Sequence, residues 1–461
     1  MKPVTDKAYK LFHQGVIALS QVESNGIRMD VDYLKRAIIK SDKKIKHITD
    51  RMKKDKVFKA WKKKYGTETN LDSGKQLGKI LFGVMGYECK HRTATGMPST
   101  DIEALSKVKI KFVKDYLKIT KLKKARSTYL IGILNHITPD GKLHPSFNLN
   151  IARTMRGQSN GPNFQNIPVR DPKIKKLVRQ AFLASKNHRI VEVDYSGAEI
   201  GGAACYHKDP NMLKYIKNDK LDMHGDMARQ IYYCSKKQMT SDIRYCGKNK
   251  FIFPEFYGDW YLSCAKSLWA AIGEMNLETS DGIGLIKHLR RNGIKELGAC
   301  NPKERPVAGT FENHLKEIED DFWNRRFKVY GQWKEDWWDA YLSKGYFDTL
   351  TGFRIDGEMN RKEVINYPIQ GTAFHWLLWS LIRVQKKLNK YKMKSKIIGQ
   401  IHDSIVGDVH KKELQNYLEI CQQVMTVDVR KHWPWIIVPL GIEAEVTPVG
   451  GNWYQKKARE I

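Results

Sequence analysis

Apolar residues recur at helical spacing through the first part of the chain. Between residues 30 and 65, lysines cover most of a predicted helix. Its apolar side is formed by Leu34, Ile38, Ile45 and Ile48. Residues 69–82 and 99–108 each place Asp or Ser ahead of an apolar-periodic run, which is typical of a helix N-cap. Residues 1–130 are therefore predicted to be mostly helical, basic and elongated.

The pattern changes beyond residue 138. Residues 188–197 read HRIVEVDYSG, a short apolar run that leads to an Asp, which predicts a strand ending in a turn. Residues 395–450 contain further short apolar runs, KIIGQI, SIVGDV and LGIEAEVTPV, whereas residues 211–345 are helical in pattern and rich in aromatic residues. The regions before and after the helical residues 211–345 thus each combine strands with helices, and we call them the two β/α parts. We expect their strands to form one sheet.

Charge narrows the range of partners. The 461 residues include 81 Lys and Arg against 50 Asp and Glu, a formal net charge of +31. A solvated lysine-rich surface is the simpler explanation, but an excess of this size favours a polyanion, because each cation near a phosphate releases condensed counterions. Nucleic acid is therefore the expected partner.

Cysteines and apolar runs bear on the compartment. Seven cysteines are scattered along the chain, no two spaced as CxxC, and their odd number excludes complete intrachain pairing. No segment reaches the roughly 18 apolar residues of a membrane span, and no signal peptide is evident. These features predict a reducing, cytoplasmic location without a membrane partner.

Two aspartates lie where predicted strands end. Asp194 follows an apolar run, and Asp403 lies within IHDSIVGDV, between two short apolar runs that predict a hairpin. If the two β/α parts share a sheet, these carboxylates approach each other and repel unless a cation lies between them. Oxygen ligands suit Mg²⁺, which also binds phosphates, so the pair indicates a phosphoryl-transfer site. Either Asp taken alone is more often a structural turn residue.

Between the two aspartates lies a basic and aromatic segment, TSDIRYCGKNKFIFPEFYGDWY at 240–261. Arg244 and Lys248 are four residues apart and share a helix face, where they could hold a triphosphate. Phe253 and Tyr257 have the same spacing and could stack on a base. An amphipathic helix packed in a core is the alternative interpretation.

Several segments, in order, resemble the DNA polymerases of family A, the DNA polymerase I type. They are LHPSFNLNIARTMRGQSNGPNFQNIP at 143–168, VDYSGAEIG at 193–201, LDMHGDMA at 221–228, RYCGKNKFIFPEFYG at 244–258, GYFDTLTGFRIDG and VINYPIQGTAFHW within 345–376, IHDSIV at 401–406, and VTPVGGNWYQ at 446–455. The resemblance covers nearly all of the chain. It implies an α/β (α+β) right-hand polymerase fold with an antiparallel palm sheet, helical fingers and a helical thumb.

The resemblance also implies a domain order. The expected parts are an N-terminal segment at 1–29, a thumb at 30–140, a first palm part at 141–206, fingers at 207–346 and a second palm part at 347–461. An insertion around 282–314 has no counterpart in the family and is expected to be a surface elaboration. Since the chain begins where the polymerase region of the family begins, proofreading is expected to be absent or to come from a separate 3′–5′ exonuclease chain; replisome proteins are further candidate partners.

Roles for individual residues follow from the resemblance. Asp194 and Asp403 would hold two Mg²⁺ ions with help from the backbone carbonyl of Tyr195, and Glu199 would leave no room for a ribose 2′-hydroxyl. The triphosphate would be held by His224, Arg244 and Lys248, with Lys248 also offsetting the charge of the leaving group. Phe253 would contact the nucleotide and Tyr257 would cover the nascent base pair. The primer end and its minor groove would be contacted by Arg156, Asn366, Gln370 and His402.

Two departures from the family pattern bear on the site. The segment IHDSIV at 401–406 corresponds to motif C of the family. It reads His-Asp-Ser, where many relatives have His-Asp-Glu, so the metal site would depend on two aspartates. Lys248 and Phe253 are five residues apart instead of four, which on a regular helix turns the basic and aromatic faces away from each other. We expect a π-bulge or kink between Lys248 and Pro254 that restores the register; the alternative is that Lys250 takes the role of Lys248.

The expected function is a template-directed DNA polymerase that extends a primer with dNTPs, and the lysine-rich composition indicates a bacteriophage enzyme of DNA replication. A single-subunit RNA polymerase is one alternative, because such enzymes also use His-Asp-Ser; Glu199 argues against it. An inactive protein that binds primer-template DNA is the other alternative.

Overall fold

The computed structural model describes residues 2–89, 92–93 and 95–461. The helices are α1 (Asp6–Asn25), α2 (Val31–Lys53), α3 (Lys56–Tyr65), α4 (Gly74–Gly78), α5 (Ile102–Ser106), α6 (Lys111–Lys124), α7 (Gly132–Leu134), α8 (Pro172–Arg179), α9 (Ala198–His207), α10 (Pro210–Lys217), α11 (Met223–Tyr232), α12 (Ser241–Gly247), α13 (Phe253–Phe256), α14 (Tyr261–Glu274), α15 (Leu285–Arg291), α16 (Phe311–Asp321), α17 (Lys328–Lys344), α18 (Arg361–Lys390), α19 (Leu414–Gln422) and α20 (Val429–His432). π-helical segments occur at Lys79–Val84, Ala125–Ile131, Lys248–Ile252, Phe322–Arg326 and Gln423–Asp428. Short 3₁₀ segments occur at Gly66–Glu68, Phe164–Asn166 and Trp453–Gln455.

The strands are β1 (Lys2–Pro3), β2 (Ile27–Arg28), β3 (Lys142–Leu143), β4 (Ser146–Asn148), β5 (Gln158–Asn160), β6 (His188–Ser196), β7 (Tyr346–Asp348), β8 (Phe353–Asp356), β9 (Lys396–Ile401), β10 (Ser404–His410), β11 (Gly441–Val446) and β12 (Lys457–Arg459). The central sheet has the order β12-β11-β6-β10-β9 and is antiparallel. Strand β6 thus lies between strands that come more than two hundred residues later, which confirms that the two β/α parts share one sheet.

Helix α18 packs beneath the sheet and organises the core. An Asn360–Glu363 capping box starts the helix, and most of its residues are buried over eight turns, with Pro368 inside it. Buried side chains such as Trp376 and Leu381 join the large core that also holds β6, β9 and β10. A helix buried nearly all round is typical of the centre of a large domain.

The first residues depart from the predicted elongated arm. Helix α1 buries Leu11, Leu19 and Val22 against α18, β4 and β9, and the Asn25 amide Nδ2 donates to Ile397 O at 2.8 Å. Strand β1 pairs with β8, and β2 pairs with β3. The expectation of elongation is therefore wrong for residues 2–29, because apolar positions on α1 find partners far along the chain that no local pattern reveals.

Residues from α2 to α6 form a separate small core. Its fully buried members include Val57, Trp61 and Leu77, and partly buried aromatic residues pack around them. The expected helix caps are present: Ser73 accepts from Gln76 N at the start of α4, and Asp101 accepts from Ala104 N at the start of α5. This lysine-rich unit lies within residues 30–140, for which a thumb is predicted.

The helical part between β6 and β7 runs from α9 to α17. Helices α11, α12, α14 and α16 pack on one another through buried apolar and aromatic side chains, including Tyr232, Phe311 and Phe322. The segment between α14 and α16 is folded onto this bundle, since Leu285 and Leu289 of α15 are fully buried. Among the described residues, no helix is both long and apolar enough to cross a bilayer.

Candidate functional site

Asp403 lies in the turn that joins β9 to β10, as the hairpin prediction requires. The preceding His402 has a φ of 47°, a left-handed conformation that is uncommon outside glycine. The buried amide of Gln400 braces the turn by donating to His402 O at 2.6 Å. The Ser404 hydroxyl donates to Ile401 O at 2.9 Å, so it closes the hairpin and is not aimed at the carboxylates.

Asp194 meets this turn from the neighbouring strand. Strands β6 and β10 pair with Ser404 opposite Asp194, and Tyr195 N donates to Asp403 O at 3.2 Å. The Asp194 side chain is accessible to solvent, yet the protein around it excludes enough water to raise its pKa to about 7, and the negative charge of Asp403 adds to the rise. Burial also raises the pKa of Asp403, although nearby Arg156 opposes this.

The two carboxylates have the chemistry of a hard-cation site. Each disfavours the ionised form of its neighbour, and a divalent cation between them would remove that repulsion. No cluster of three or more His, Cys, Asp or Glu that could hold a metal occurs within residues 2–89, 92–93 and 95–461. Any metal here would therefore be completed by backbone carbonyls, water or substrate oxygens, in keeping with the absence of a third carboxylate in the motif.

Hydrogen bonds that the sequence did not indicate stabilise this corner. Gln165 Nε2 donates to Gln400 Oε1 at 2.7 Å, which links the 3₁₀ turn at Phe164–Asn166 to the bracing amide under the hairpin. On the other side, the Tyr195 hydroxyl lies 2.9 Å from Ser380 Oγ and donates to Met425 O at 2.8 Å. The sequence signal that could have indicated this support is Gln400, a polar residue in the otherwise apolar run before the turn.

Glu199 connects the start of α9 to Arg156 and to the aromatic end of α13. It lies in the first turn of α9, accepts a hydrogen bond from the Arg156 guanidinium and accepts another from the Tyr257 hydroxyl. Burial and the Glu199 carboxylate raise the pKa of Tyr257, so its hydroxyl remains a donor. Asn366 Nδ2 donates to Tyr257 O at 2.9 Å and holds the end of the aromatic helix against α18.

The helix that carries the basic and aromatic residues contains the expected irregularity. Helix α12 passes into a π-helical turn at Lys248–Ile252 before α13 begins. The extra residue of this turn returns Lys248 to the aromatic face, where its Nζ lies 5.3 Å from the centre of the Phe253 ring. Lys250 points the other way, and its Nζ donates to Ser267 Oγ on α14 at 3.3 Å.

Basic residues gather beside that face. His224 on α11 lies 5.9 Å from the Phe253 ring, and burial together with the charges of Lys248 and Arg244 lowers its pKa to about 4. His224 is therefore neutral at physiological pH, and its Nδ1 is buried without a hydrogen-bond partner among the described residues. Arg244 forms a bidentate ion pair with Asp222, in which Nε donates to Oδ2 at 2.7 Å and Nη2 donates to Oδ1 at 2.8 Å. The sequence did not indicate this pair.

The predicted residues thus form two adjoining groups: the carboxylates Asp194 and Asp403, and the basic and aromatic residues of α12, the π-helical turn and α13. Glu199, Phe253, Tyr257 and Asn366 line a cavity of about 20 Å³, enough for a single water. Four residues were expected at the primer end. Of these, Arg156 and Asn366 are engaged within the protein, His402 is exposed at the hairpin tip, and Gln370 is half-buried one turn beyond Asn366 on α18.

Buried polar contacts support α13 on the side that packs against α16 and α17. Glu255 of α13 is fully buried, and its carboxylate accepts from Trp323 Nε1 at 2.9 Å. Burial and the neighbouring Glu319 raise the pKa of Glu255 well above its ordinary value, whereas burial lowers the pKa of Lys334 to about 8. The Lys334 Nζ lies over the Trp323 ring at 3.3 Å. These contacts join α13 to α16 and α17.

Replacing Asp194 by Asn is expected to raise the thermal stability of the metal-free protein. The folded state holds the carboxyl protonated up to about pH 7, whereas an unperturbed Asp ionises above 3.8. Wild-type stability is therefore lost as pH rises from about 4 to 7, and Asn removes that loss. Melting curves in EDTA should separate the two proteins above pH 7 and coincide below pH 4. A variant no more stable than wild type above pH 7 would contradict the raised pKa that burial and the charge of Asp403 give Asp194.

The geometry agrees with what comparison with known proteins shows. The model of the family described as DNA polymerase family A matches residues 32–274 and 316–455. The chain belongs to DNA polymerase family A. Among its relatives, DNA polymerase I of Bacillus subtilis (strain 168) is 28% identical over 447 residues, which cover 96% of this chain and 45% of that protein. The thermostable DNA polymerase I of Thermus thermophilus is 25% identical over 449 residues, which cover 95% and 47%. The chain spans about half the length of these relatives.

A solved structure gives the same result for the fold. The structure described as the POL domain of Pol1 from M. smegmatis in complex with DNA primer-template and dNTP aligns with a TM-score of 0.74 at 22% identity, covering 96% of this chain and 70% of that one. The predicted right-hand polymerase fold is confirmed. The residues between the two family-matched segments, 275–315, include the predicted insertion at 282–314.

Proposed function

We propose that this protein is a template-directed DNA polymerase that extends a primer 3′-hydroxyl with dNTPs and releases pyrophosphate. The observation that carries the proposal is the proximity of Asp194 and Asp403 on adjacent strands, beside the Glu199–Tyr257 contact. Glu199 belongs to both groups, because it bonds to the nucleotide-facing helix and its charge raises the pKa of Asp403. The carboxylate pair and the basic-aromatic helix therefore adjoin at Glu199.

The residues present fit two Mg²⁺ ions held by Asp194, Asp403 and the backbone carbonyl of Tyr195. Bound there, the ions would activate the attacking oxygen and stabilise the leaving oxygen. The protein itself supplies position and charge. His402 and Gln400 keep Asp403 at the hairpin tip, and Ser404 takes no part in ligation because its hydroxyl closes the turn.

The nucleotide would lie against the segment formed by α12, the π-helical turn at Lys248–Ile252 and α13. Lys248 places positive charge where the triphosphate would lie, Arg244 lies beside it in its ion pair with Asp222, and the neutral His224 adds a polar group without more charge. Phe253 and Tyr257 stack at 6.2 Å between ring centres and would pack against the sugar and the base pair. Glu199, held by Arg156 and Tyr257, would fill the space that a 2′-hydroxyl needs.

Primer extension with Mg²⁺ tests this function directly. A labelled primer on a longer template is offered dNTPs in one reaction and NTPs in another. Extension with dNTPs alone supports the proposal. Preferred use of NTPs would favour an RNA polymerase, and tight binding of primer-template without extension would favour a binding protein. The lysine-rich composition leads us to propose viral DNA replication as the setting.

Wild-type protein is expected to discriminate against 2′,3′-dideoxynucleotides. The Phe253 ring faces the pocket without a hydroxyl, so it cannot replace the hydrogen bond of a missing 3′-hydroxyl. Phe253→Tyr should raise the use of dideoxynucleotides relative to deoxynucleotides by about 10²-fold or more. Termination ladders at several ratios of the two substrates measure this, and equal use of both by the wild type would refute the assignment of Phe253.

A further inference from the structure

An open cleft of about 820 Å³ lies at the end of α14. One wall is the last turn of that helix, and the other is the short helix α15. The cleft is lined by Ile272, Gly273, Asn276, Leu277, Glu278, Gly284, Leu285, Ile286, Lys287, Arg290 and Arg291. Most of these residues lie between the two segments that match the family, so the cleft is a feature of this chain's own insertion.

The cleft is built on a well-anchored segment. Ser280 N donates to Gln238 O at 3.0 Å, and the Ser280 hydroxyl donates to Lys237 O at 2.6 Å. His288 of α15 is buried, with its Nε2 3.1 Å from Tyr233 O. These contacts attach the insertion to the loop between α11 and α12, so the cleft keeps its shape as part of the fingers.

The cleft opens behind the proposed nucleotide site. Lys248 and Phe253 face His224 on one side of the π-turn helix. Helix α14 lies against the opposite side, where Lys250 meets Ser267 and the Cys246 thiol lies 3.7 Å from the Met275 sulfur. The cleft continues from the C-terminal end of α14, and neither Lys248 nor Phe253 is among its lining residues.

The lining has a definite chemical character. Ile272, Leu277 and Ile286 form an apolar floor, and the exposed side chains of Lys287, Arg290 and Arg291 stand at its edge. Glu278 is the one carboxylate among the described lining residues, against three cations. That described lining contains no aromatic ring, although rings are the usual platform for unpaired bases.

We propose that this cleft is a docking site for an acidic peptide segment of a partner protein, with an apolar side chain on the floor and carboxylates against Lys287, Arg290 and Arg291. An apolar centre with a complementary charged rim is the usual arrangement of a specific protein contact. Single-stranded nucleic acid matches the rim but not the aliphatic floor. The site does not depend on the proposed polymerase activity, since nine of its eleven lining residues lie between the family-matched segments and neither aspartate lines it.

The test measures peptide binding to the full chain by fluorescence anisotropy. The probe is a fluorescein-labelled run of aspartates that ends in Leu-Phe, and a second probe ends in Ser-Ser. Lys287→Glu with Arg291→Glu should weaken binding of the first probe by about tenfold or more. Arg290 is left unchanged because its Nε donates to Lys295 O at 3.4 Å. The Ser-Ser probe should bind more weakly than the Leu-Phe probe.

The matched control is Lys303→Glu with Arg305→Glu, which makes the same charge change at exposed positions of the same insertion outside the cleft lining. It should alter binding less than about threefold. A second variant, Gly273→Leu, places a side chain at the wall; a Cβ there meets no heavy atom within 4 Å, and leucine also favours the helix. It should weaken binding while the melting temperature is unchanged or higher.

Three results would overturn the proposal: no measurable binding of the Leu-Phe probe, equal losses in both double variants, or equal binding of the two probes. Labelled oligothymidylate serves as the competing ligand. If its binding, and not that of the peptide, depends on Lys287 and Arg291, the occupant is nucleic acid. Primer extension by each variant is measured in parallel, so a failure of peptide docking remains distinct from a failure of the polymerase function.

Discussion

Replacement of Asp403 by Asn is expected to lower the rate of primer extension by about 10³-fold with little change in primer-template binding. The Asn side chain keeps the shape of the turn but removes the charge that faces Asp194 across β6 and β10. It therefore leaves one carboxylate where the proposed chemistry needs two. Single-turnover extension with saturating Mg²⁺ and dNTP, with binding measured separately by anisotropy, checks both parts of this prediction.

Two neighbouring residues provide matched controls for Asp403. Ser404→Ala removes a hydroxyl that bonds only to Ile401 O among its described contacts, so activity should stay within about tenfold of wild type. Glu443→Gln removes another negative charge opposite Asp194, on strand β11. If Glu443→Gln is as damaging as Asp403→Asn, the effect is one of general charge around Asp194, and the hairpin tip has no special role.

Lys248→Ala is expected to reduce kcat for nucleotide addition by about 10²-fold or more, whereas Lys250→Ala stays close to wild type. The π-helical turn places Lys248 beside His224 and Phe253, where it can offset negative charge on the leaving pyrophosphate. Lys250 is two residues away on the same turn and contacts Ser267 on the opposite side. Pre-steady-state incorporation of one nucleotide separates the two effects.

The comparison of these lysines also tests the π-turn itself. Deleting Asn249 would restore the usual spacing of four residues between lysine and Phe253 and should remove the bulge. If this shortened chain retains incorporation and depends on Lys248, the turn only compensates for the extra residue. If Lys250→Ala abolishes incorporation in the full-length chain and Lys248→Ala does not, the assignment of the fingers lysine is wrong.

Much of the site could be predicted because its signals are local. Alternating short apolar runs on either side of His402 and Asp403 predict a hairpin whatever surrounds it, and β9 and β10 form it. The irregular turn was predicted from the resemblance, because one residue more than the family's usual spacing between Lys248 and Phe253 would turn the two faces apart on a regular helix.

The remaining features depend on residues that lie far apart in the chain. The pairing of Asp194 with the hairpin tip needs β6 and β10 in one register, and a shift of one residue would have turned Asp194 to the other face. The pairing of Arg244 with Asp222, the brace from Gln165 to Gln400, and the packing of α1 on α18 are likewise contacts between distant segments.

The sequence by itself thus determined which elements form and which residue types are available for chemistry, because backbone preferences and apolar periodicity act over a few neighbouring residues. Only the tertiary structure decided which of these groups meet. It raised the pKa of Asp194 by desolvating the carboxyl group and by placing Asp403 next to it, and it turned Lys248 toward the pocket and Lys250 away. Charge interactions and burial act through space, so they follow from the fold and not from the order of residues.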